Sequence, residues 1–196
     1  MANRTGTYIA FDGLGQTDPT KSDFRYYSTI QAWDASKSID FKFVNSHDKT
    51  NAVRDTSLKA TLKARIQERL RVSKNVIVIL SKDTRKSGSM LSYEIEQAVD
   101  RYKLPLIVAY TGYRAILRPK ALSGRWPNAL ASRINNGSAS AIHIPFAKEA
   151  LLDAIDQFSV QGKKPKGGAL GHYGAQAHRN WDLLQTWEQD QNYLKS

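Results

Sequence analysis

Apolar positions follow two rhythms along this chain. Short, nearly continuous or alternating apolar runs occur at 7–12 (TYIAFD), 39–44 (IDFKFV), 75–80 (NVIVIL), 104–110 (LPLIVAY) and 140–146 (SAIHIPF). They read as strands. NVIVIL and LPLIVAY carry hardly a polar residue, which suits parallel strands covered on both faces. Between the runs the apolar spacing lengthens to the helical period: FRYYSTIQAWDAS after Ser22 or Asp23 as cap, SLKATLKARIQERLR after Asp55 or Thr56, SMLSYEIEQAVDRY, and AKEALLDAIDQF. In the second of these, Leu58, Leu62, Ile66 and Leu70 recur every fourth residue. Strand and helix alternate, which predicts a flavodoxin-like α/β fold: a five-stranded parallel sheet flanked by helices, joined by right-handed crossovers.

Two stretches break the rhythm. Residues 113–137, with Pro119 and Pro127, predict short helices and loops inside the last crossover. After Phe158 the composition turns to GKKPKGGALG, a linker signal. The division predicted is one domain over 1–159 and a linker with a C-terminal helical extension over 160–196. A single terminal helix would carry Leu183, Leu184, Trp187 and Leu194 on one broad face, either docked on the parent domain or offered to a partner, docking being the commoner use.

In an open parallel sheet, ligands bind beyond the carboxyl ends of the strands. Here those ends bring Phe11 and Asp12, then Asn45, Ser46, His47 and Asp48 with Arg54 in the loop beyond, then Ser81, then Tyr110 and Thr111. Any one of them has a plainer use, a lone His as a structural hydrogen-bonder and Asp12 or Asp48 as a turn cap. Their shared placement marks a crevice.

Composition narrows the chemistry. The 196 residues hold no cysteine, so disulfides, thiolate metal sites and a Cys nucleophile are excluded, and the four histidines lack zinc-hydrolase spacing. GLGQTD departs from the dinucleotide fingerprint at Asp18, and neither a P-loop nor a G-x-S-x-G elbow occurs. No metal site is expected. With no apolar run of membrane-spanning length and no apolar leader, the chain is expected to be cytoplasmic and to need no membrane. The net charge of +11 favours an anionic partner. The basic helix carries Lys59, Lys63, Arg65, Arg69 and Arg71 without interleaved aromatics, which argues for a solvated face and against nucleic acid.

SMLSYEIEQA places two carboxylates, Glu94 and Glu96, in one helix. At about 100° per residue, Leu91, Ile95, Ala98 and Tyr102 form the buried stripe; Glu94 falls about 80° from its centre and Glu96 about 120° away. The spacing predicts a half-buried Glu94 close to the crevice and a solvated Glu96.

The ordered set TYIAFD, IDFKFVNSHD, RDTSLKATLKARIQERLRVSKNVIVILS, SYEIEQAV, LPLIVAY and AIHIPF resembles TIR-like domains of the kind that includes the TIR proteins of bacterial Thoeris anti-phage defence, over residues 6–158. The resemblance implies an NAD+ nucleosidase or cyclase that breaks the nicotinamide–ribose bond, with Glu94 as catalytic carboxylate and NAD+ as substrate in place of any cofactor. It implies a cyclic ADP-ribose-type product that reaches a downstream effector, and a homo-oligomer whose sites are completed by a neighbouring subunit. In that setting Phe11 or Tyr110 would stack on a ring, Asp12 and Ser81 would hold hydroxyls, Asn45 would line the crevice, and His47 with Arg54 would meet phosphate. A non-catalytic TIR-like assembly module, or a flavodoxin-like protein binding another nucleotide or nucleic acid, is the alternative.

Overall fold

A computed structural model describes residues 4–15, 18, 20–35, 43–44, 56–185 and 193–195. Strand β1 (Gly6–Ala10) leads into helix α1 (Phe24–Ala35); β2 (Phe43–Val44) precedes α2 (Thr56–Val72), which passes directly into β3 (Ser73–Leu80). The hydroxyl of Ser73 donates to the carbonyl of Arg69 at 2.8 Å and so serves the open end of α2 at the helix–strand junction. Helix α3 (Met90–Glu96) follows, then β4 (Leu106–Tyr110), β5 (Tyr113–Ile116), α4 (Asn128–Asn135), β6 (Ala141–Pro145) and α5 (Lys148–Gln157).

Five of these strands form the predicted parallel sheet, in the order β2-β1-β3-β4-β6. Its two faces bury different alternations of the same strands. On one, Tyr8, Ala10, Val76, Val78, Leu80, Val108 and Tyr110 pack under α2, α3 and α4 through Ile66, Leu70, Leu91, Ile95, Leu130 and Ile134. On the other, Ile9, Phe11, Ile77, Ile79, Ile107 and Ile142 pack under α1 and α5 through Tyr27, Ile30, Leu151 and Ile155. Both faces are covered, so the strands need no polar alternation. In α2 the basic side chains Lys63, Arg65 and Arg71 are exposed, as a solvated face requires, whereas Arg69 is half-buried and its charge is felt at Tyr8.

Three elements depart from the sequence reading. The third helix is α-helical only to Glu96, and Gln97–Arg101 forms a π-helical turn before Lys103 closes it at φ 55°. The wider turn brings Val99 inward, and Tyr102, expected in the stripe, is only half-buried. The crossover at 113–137 contains the expected short helices, a 3-10 turn Pro119–Arg125 and α4, but opens with β5. The extension is not one long helix. It forms a 3-10 turn at Gly168–Leu170, strand β7 (Gly171–His172), helix α6 (Ala175–Asn180) and strand β8 (Tyr193–Lys195). Strand β7 adds to the sheet beside β6, and β8 pairs antiparallel with β5. Leu184 is buried and Leu183 half-buried, so the extension docks on the body; Trp187 lies outside the described residues.

Candidate active site

The strand order reverses direction at β1 and β3, with β2 laid down on one side and β4 on the other; in this topology that junction is where a crevice forms. Glu94 sits above it on α3, the helix that follows β3. Its carboxyl is 3% exposed, deeper than the helical wheel predicted, because the face it borders is covered by β1 and not by solvent. The phenol of Tyr8 on β1 donates to Glu94 Oε1 at 2.6 Å. Oε2 is equally buried and has no hydrogen-bond partner among the described residues. Burial raises the Glu94 carboxyl to about 8; the Asp12 charge pushes it the same way, and the Tyr8 hydrogen bond opposes both. Burial and then the Glu94 charge also raise the Tyr8 phenol well above its usual value. The second glutamate differs from its prediction too: Glu96 is half-buried.

Asp12, which follows β1, is buried at 2% exposure and receives four N–H donors. Arg85 supplies three, its backbone N at 3.1 Å and its Nε at 2.9 Å to Oδ2 and its Nη2 at 2.8 Å to Oδ1; the Leu14 backbone N, at 3.1 Å from Oδ1, is the fourth. Burial alone would raise this carboxyl, but the Arg85 hydrogen bonds and charge and the backbone donors outweigh it and hold it below its usual range. The guanidinium remains 47% exposed over the junction. Asp23, just before α1, accepts from the Thr84 hydroxyl at 3.1 Å, and the Thr84 oxygen accepts from the Ser81 backbone N at 2.9 Å. Burial raises Asp23 despite hydrogen bonds from Ser81 and Thr84. The Ser81 oxygen accepts from the Asp83 backbone N at 3.1 Å.

The structure therefore brings Glu94, Asp12 and Ser81 to one region and gives the two aromatics other work. Phe11 is 4% exposed, stacked on Tyr27 with ring centroids 5.3 Å apart and edged by Phe24 at 5.5 Å. Tyr110 is fully buried, and its oxygen is a relay point: Trp126 Nε1 donates to it at 2.6 Å, and it donates to His143 Nδ1 at 2.8 Å. His143 Nε2 donates in turn to the Ala169 carbonyl at 2.9 Å, tying the extension to the sheet. Stacking on a ligand is thus replaced by core packing at both rings. Asn45, His47 and Arg54 lie outside the described residues.

Tyr8, Arg85 and Thr84 escaped the sequence reading, and Asp23 entered it only as a helix cap. Tyr8 was visible as part of a strand, but its pairing with Glu94 spans 86 residues. Arg85 lies in a loop without a motif. A cavity of about 480 Å³ lies elsewhere, lined by Lys120, Ser123, Trp126, Ile134 and Leu170 among others, and none of the expected site residues line it. Among the described residues no group of three or more His, Asp or Glu side chains is arranged to hold a metal, and no helix is long and apolar enough to cross a membrane. The family model for the Thoeris protein ThsB, TIR-like domain, matches residues 8–115, from Tyr8 through Ala115 and across every site residue just described.

Proposed function

The chain belongs to the family of the Thoeris protein ThsB, TIR-like domain, and on that premise we propose that it consumes NAD+ by breaking the bond between nicotinamide and ribose. The observation that carries this reading is Glu94, a buried carboxyl beside the strand-order junction with one oxygen fixed by Tyr8 and the other unpartnered. Nicotinamide leaves with the bonding electron pair, which neutralises its pyridinium ring, so no strong acid is needed. The ribosyl carbon left behind is an oxocarbenium ion, and a carboxylate held against it lowers the barrier. Water then captures the cation and loses a proton, or a nucleophile of the same ADP-ribose closes a ring. Cyclisation to an ADP-ribose-type signal read by a downstream effector fits a role in anti-phage defence.

The exposed side chain of Arg85, held by Asp12, would offer a cation to the phosphates of the nucleotide. Assembly of copies would complete the site, as the resemblance implies. Incubating the pure protein with NAD+ and measuring free nicotinamide tests the reading; release that rises more than linearly with protein concentration tests the assembly. The closure of Glu94 to 3% exposure favours one other reading, a TIR-like assembly module without turnover. Absence of nicotinamide release at every protein concentration, from chain that self-associates, would select it.

A further inference from the structure

Acidic residues are absent from two stretches of the chain. Between Asp100 and Glu149 there is none, while basic residues continue at Arg114, Arg118, Lys120, Arg125 and Arg133. Between Asp156 and Asp182 there is again none, and that stretch carries Lys163, Lys164, Lys166 and Arg179. The cavity of about 480 Å³ lies where the two stretches meet: the 3-10 turn Pro119–Arg125, Trp126 and α4 line it from the body, and Leu170 lines it from the extension. None of the residues around Glu94 lines it, so it stands apart from the NAD+ reading.

Its lining divides by polarity. Trp126 and Ile134 are buried and Ala131 and Leu170 half-buried, which makes the inner wall hydrocarbon. Lys120, Ser123 and Asn135 are exposed and supply an ammonium, a hydroxyl and an amide, with no carboxylate in the lining. Close by, the Lys86 ammonium donates to the Trp126 carbonyl at 3.1 Å, and burial and then the charge of Arg125 lower it. Neither Lys86 nor Arg125 has a carboxylate partner among the described residues. The surroundings are therefore positive. The indole of Trp126 is 3% exposed and its N–H is already given to Tyr110, so it offers no open ring face on which a base could stack. An apolar chamber with a cationic, donor-rich rim fits a small molecule with a hydrocarbon body and an anionic head, and its volume lies within the range of about 300–1,000 Å³ usual for such sites.

We propose that this cavity binds an aliphatic carboxylate, its head against Lys120 and its chain against Ile134, Trp126 and Leu170, and that the occupied site clamps the extension to the body. The clamp follows from where the lining residues lie. Leu170 follows Ala169, whose carbonyl accepts from His143, and Trp126 donates to Tyr110, which donates to His143 in turn. The cavity thus lies against both ends of the relay that ties the extension to the sheet. A ligand touching Trp126 and Leu170 at once is bound only while the extension is docked, so by mass action it stabilises docking.

The probes that test it are decanoate, kept below its micellar concentration, and decyltrimethylammonium, which has the same chain and the opposite charge. The reporter is the Trp126 indole N–H resonance of the nitrogen-15-labelled full chain, assigned by its loss in Trp126→Phe. Decanoate should shift that resonance saturably, and decyltrimethylammonium should bind more weakly. Lys120→Glu, at an exposed position, should weaken decanoate by at least about threefold, since an attraction is exchanged for a repulsion of similar size. Ala131→Phe, which fills the chamber from α4, should abolish the saturable shift, with circular dichroism showing that the variant is folded. Saturating decanoate should also slow trypsin cleavage at Lys163, Lys164 and Lys166 in the native chain and not in Ala131→Phe. Absence of a saturable shift, or a shift that persists in folded Ala131→Phe, overturns the site. Equal binding of the two probes, or native affinity in Lys120→Glu, overturns the anionic ligand, and this pair decides the matter even if Ala131→Phe does not fold. Binding without any slowing of cleavage overturns the clamp.

Discussion

Glu94 and Glu96 are two residues apart and should differ sharply when altered. Glu94→Gln keeps the shape and an acceptor for Tyr8 but removes the negative charge that would face the ribosyl cation, so nicotinamide release should fall about 10²–10³-fold. Glu96→Gln should leave release close to native, because Glu96 is only half-buried and two residues at about 100° each turn it away from the helix face that carries Glu94. Release by both variants, measured beside their thermal unfolding, checks this; equal loss would refute the geometry. The wheel could rank the two glutamates because helical spacing is local. It could not find Tyr8, because nothing in TYIAFD tells which of five strands lies under α3, or which phenol meets which carboxyl. Arg85 belongs to the same class of hidden residue. Arg85→Ala strips the two guanidinium donors from a buried carboxylate and leaves it the backbone N–H groups of Arg85 and Leu14; since the side chain is half exposed the expected loss is about 1.5–3 kcal/mol, measured by urea unfolding.

At the scale of elements, what was legible depended on how far away the partner lay. NVIVIL and LPLIVAY read as buried parallel strands because their own residues are apolar on both sides, and β3 and β4 pair from Val76↔Leu106 to Leu80↔Tyr110 as such strands must. The π-helical turn at Gln97–Arg101 was hidden because a one-residue expansion leaves the apolar count unchanged and only rotates it, which is how Val99 replaced Tyr102. Strand β7 was hidden because its sequence is Gly-His. What makes Gly171 a strand residue is the space it must enter: a Cβ there would lie 2.7 Å from the Ala141 carbonyl oxygen, 2.9 Å from that of Lys166 and 2.9 Å from Pro165 Cβ. Gly171→Ala should therefore loosen the extension, costing about 1–3 kcal/mol in urea unfolding and speeding protease cleavage after residue 163. Deleting 163–196 should go further yet leave a folded body. It removes the seated Leu184, worth about 1.5–3 kcal/mol, and orphans the His143 Nε2–H, worth about 1–3 kcal/mol more. Circular dichroism of the truncated chain decides it: loss of all secondary structure would mean that the extension is part of the folding unit.

Across the whole molecule, titratable groups buried on either side of neutrality give stability two opposing slopes. His143 is neutral in the fold, pushed down to about 4 by burial, with Nδ1 accepting from Tyr110 and Nε2 donating to Ala169. Unfolding raises it to the ordinary histidine range, so the unfolded chain binds more protons below about 6.5 and stability falls as pH drops through that window, by up to about 3 kcal/mol. His178, lowered by burial, holds the Ile116 N–H through Nε2 and the Gly174 carbonyl through Nδ1 and leans the same way. Glu94 leans the other way. Its folded value near 8 lies above the 4.5 of a free carboxyl, so its contribution is whole below about 4.5 and is lost as pH rises through 8. The loss is on the order of 4–5 kcal/mol. Sequence could locate the glutamate and the histidines but not these signs, which depend on burial and on partners 86 and 33 residues away. The sign for Glu94 can be isolated by comparing the native chain with Glu94→Gln, in which the histidines and Asp23 are unchanged and cancel. In urea unfolding across pH, the variant should gain steadily on the native chain from about pH 4.5 to 8, then hold its advantage. A difference that stays constant with pH would mean that Glu94 is ionised in the fold. The site would then carry a standing negative charge, and its stabilisation of a ribosyl cation would need no proton release. A growing difference would mean that the molecule gives up stability at neutral pH to keep an unsatisfied acid beside the strand-order junction, the trade expected where a buried group is kept for chemistry.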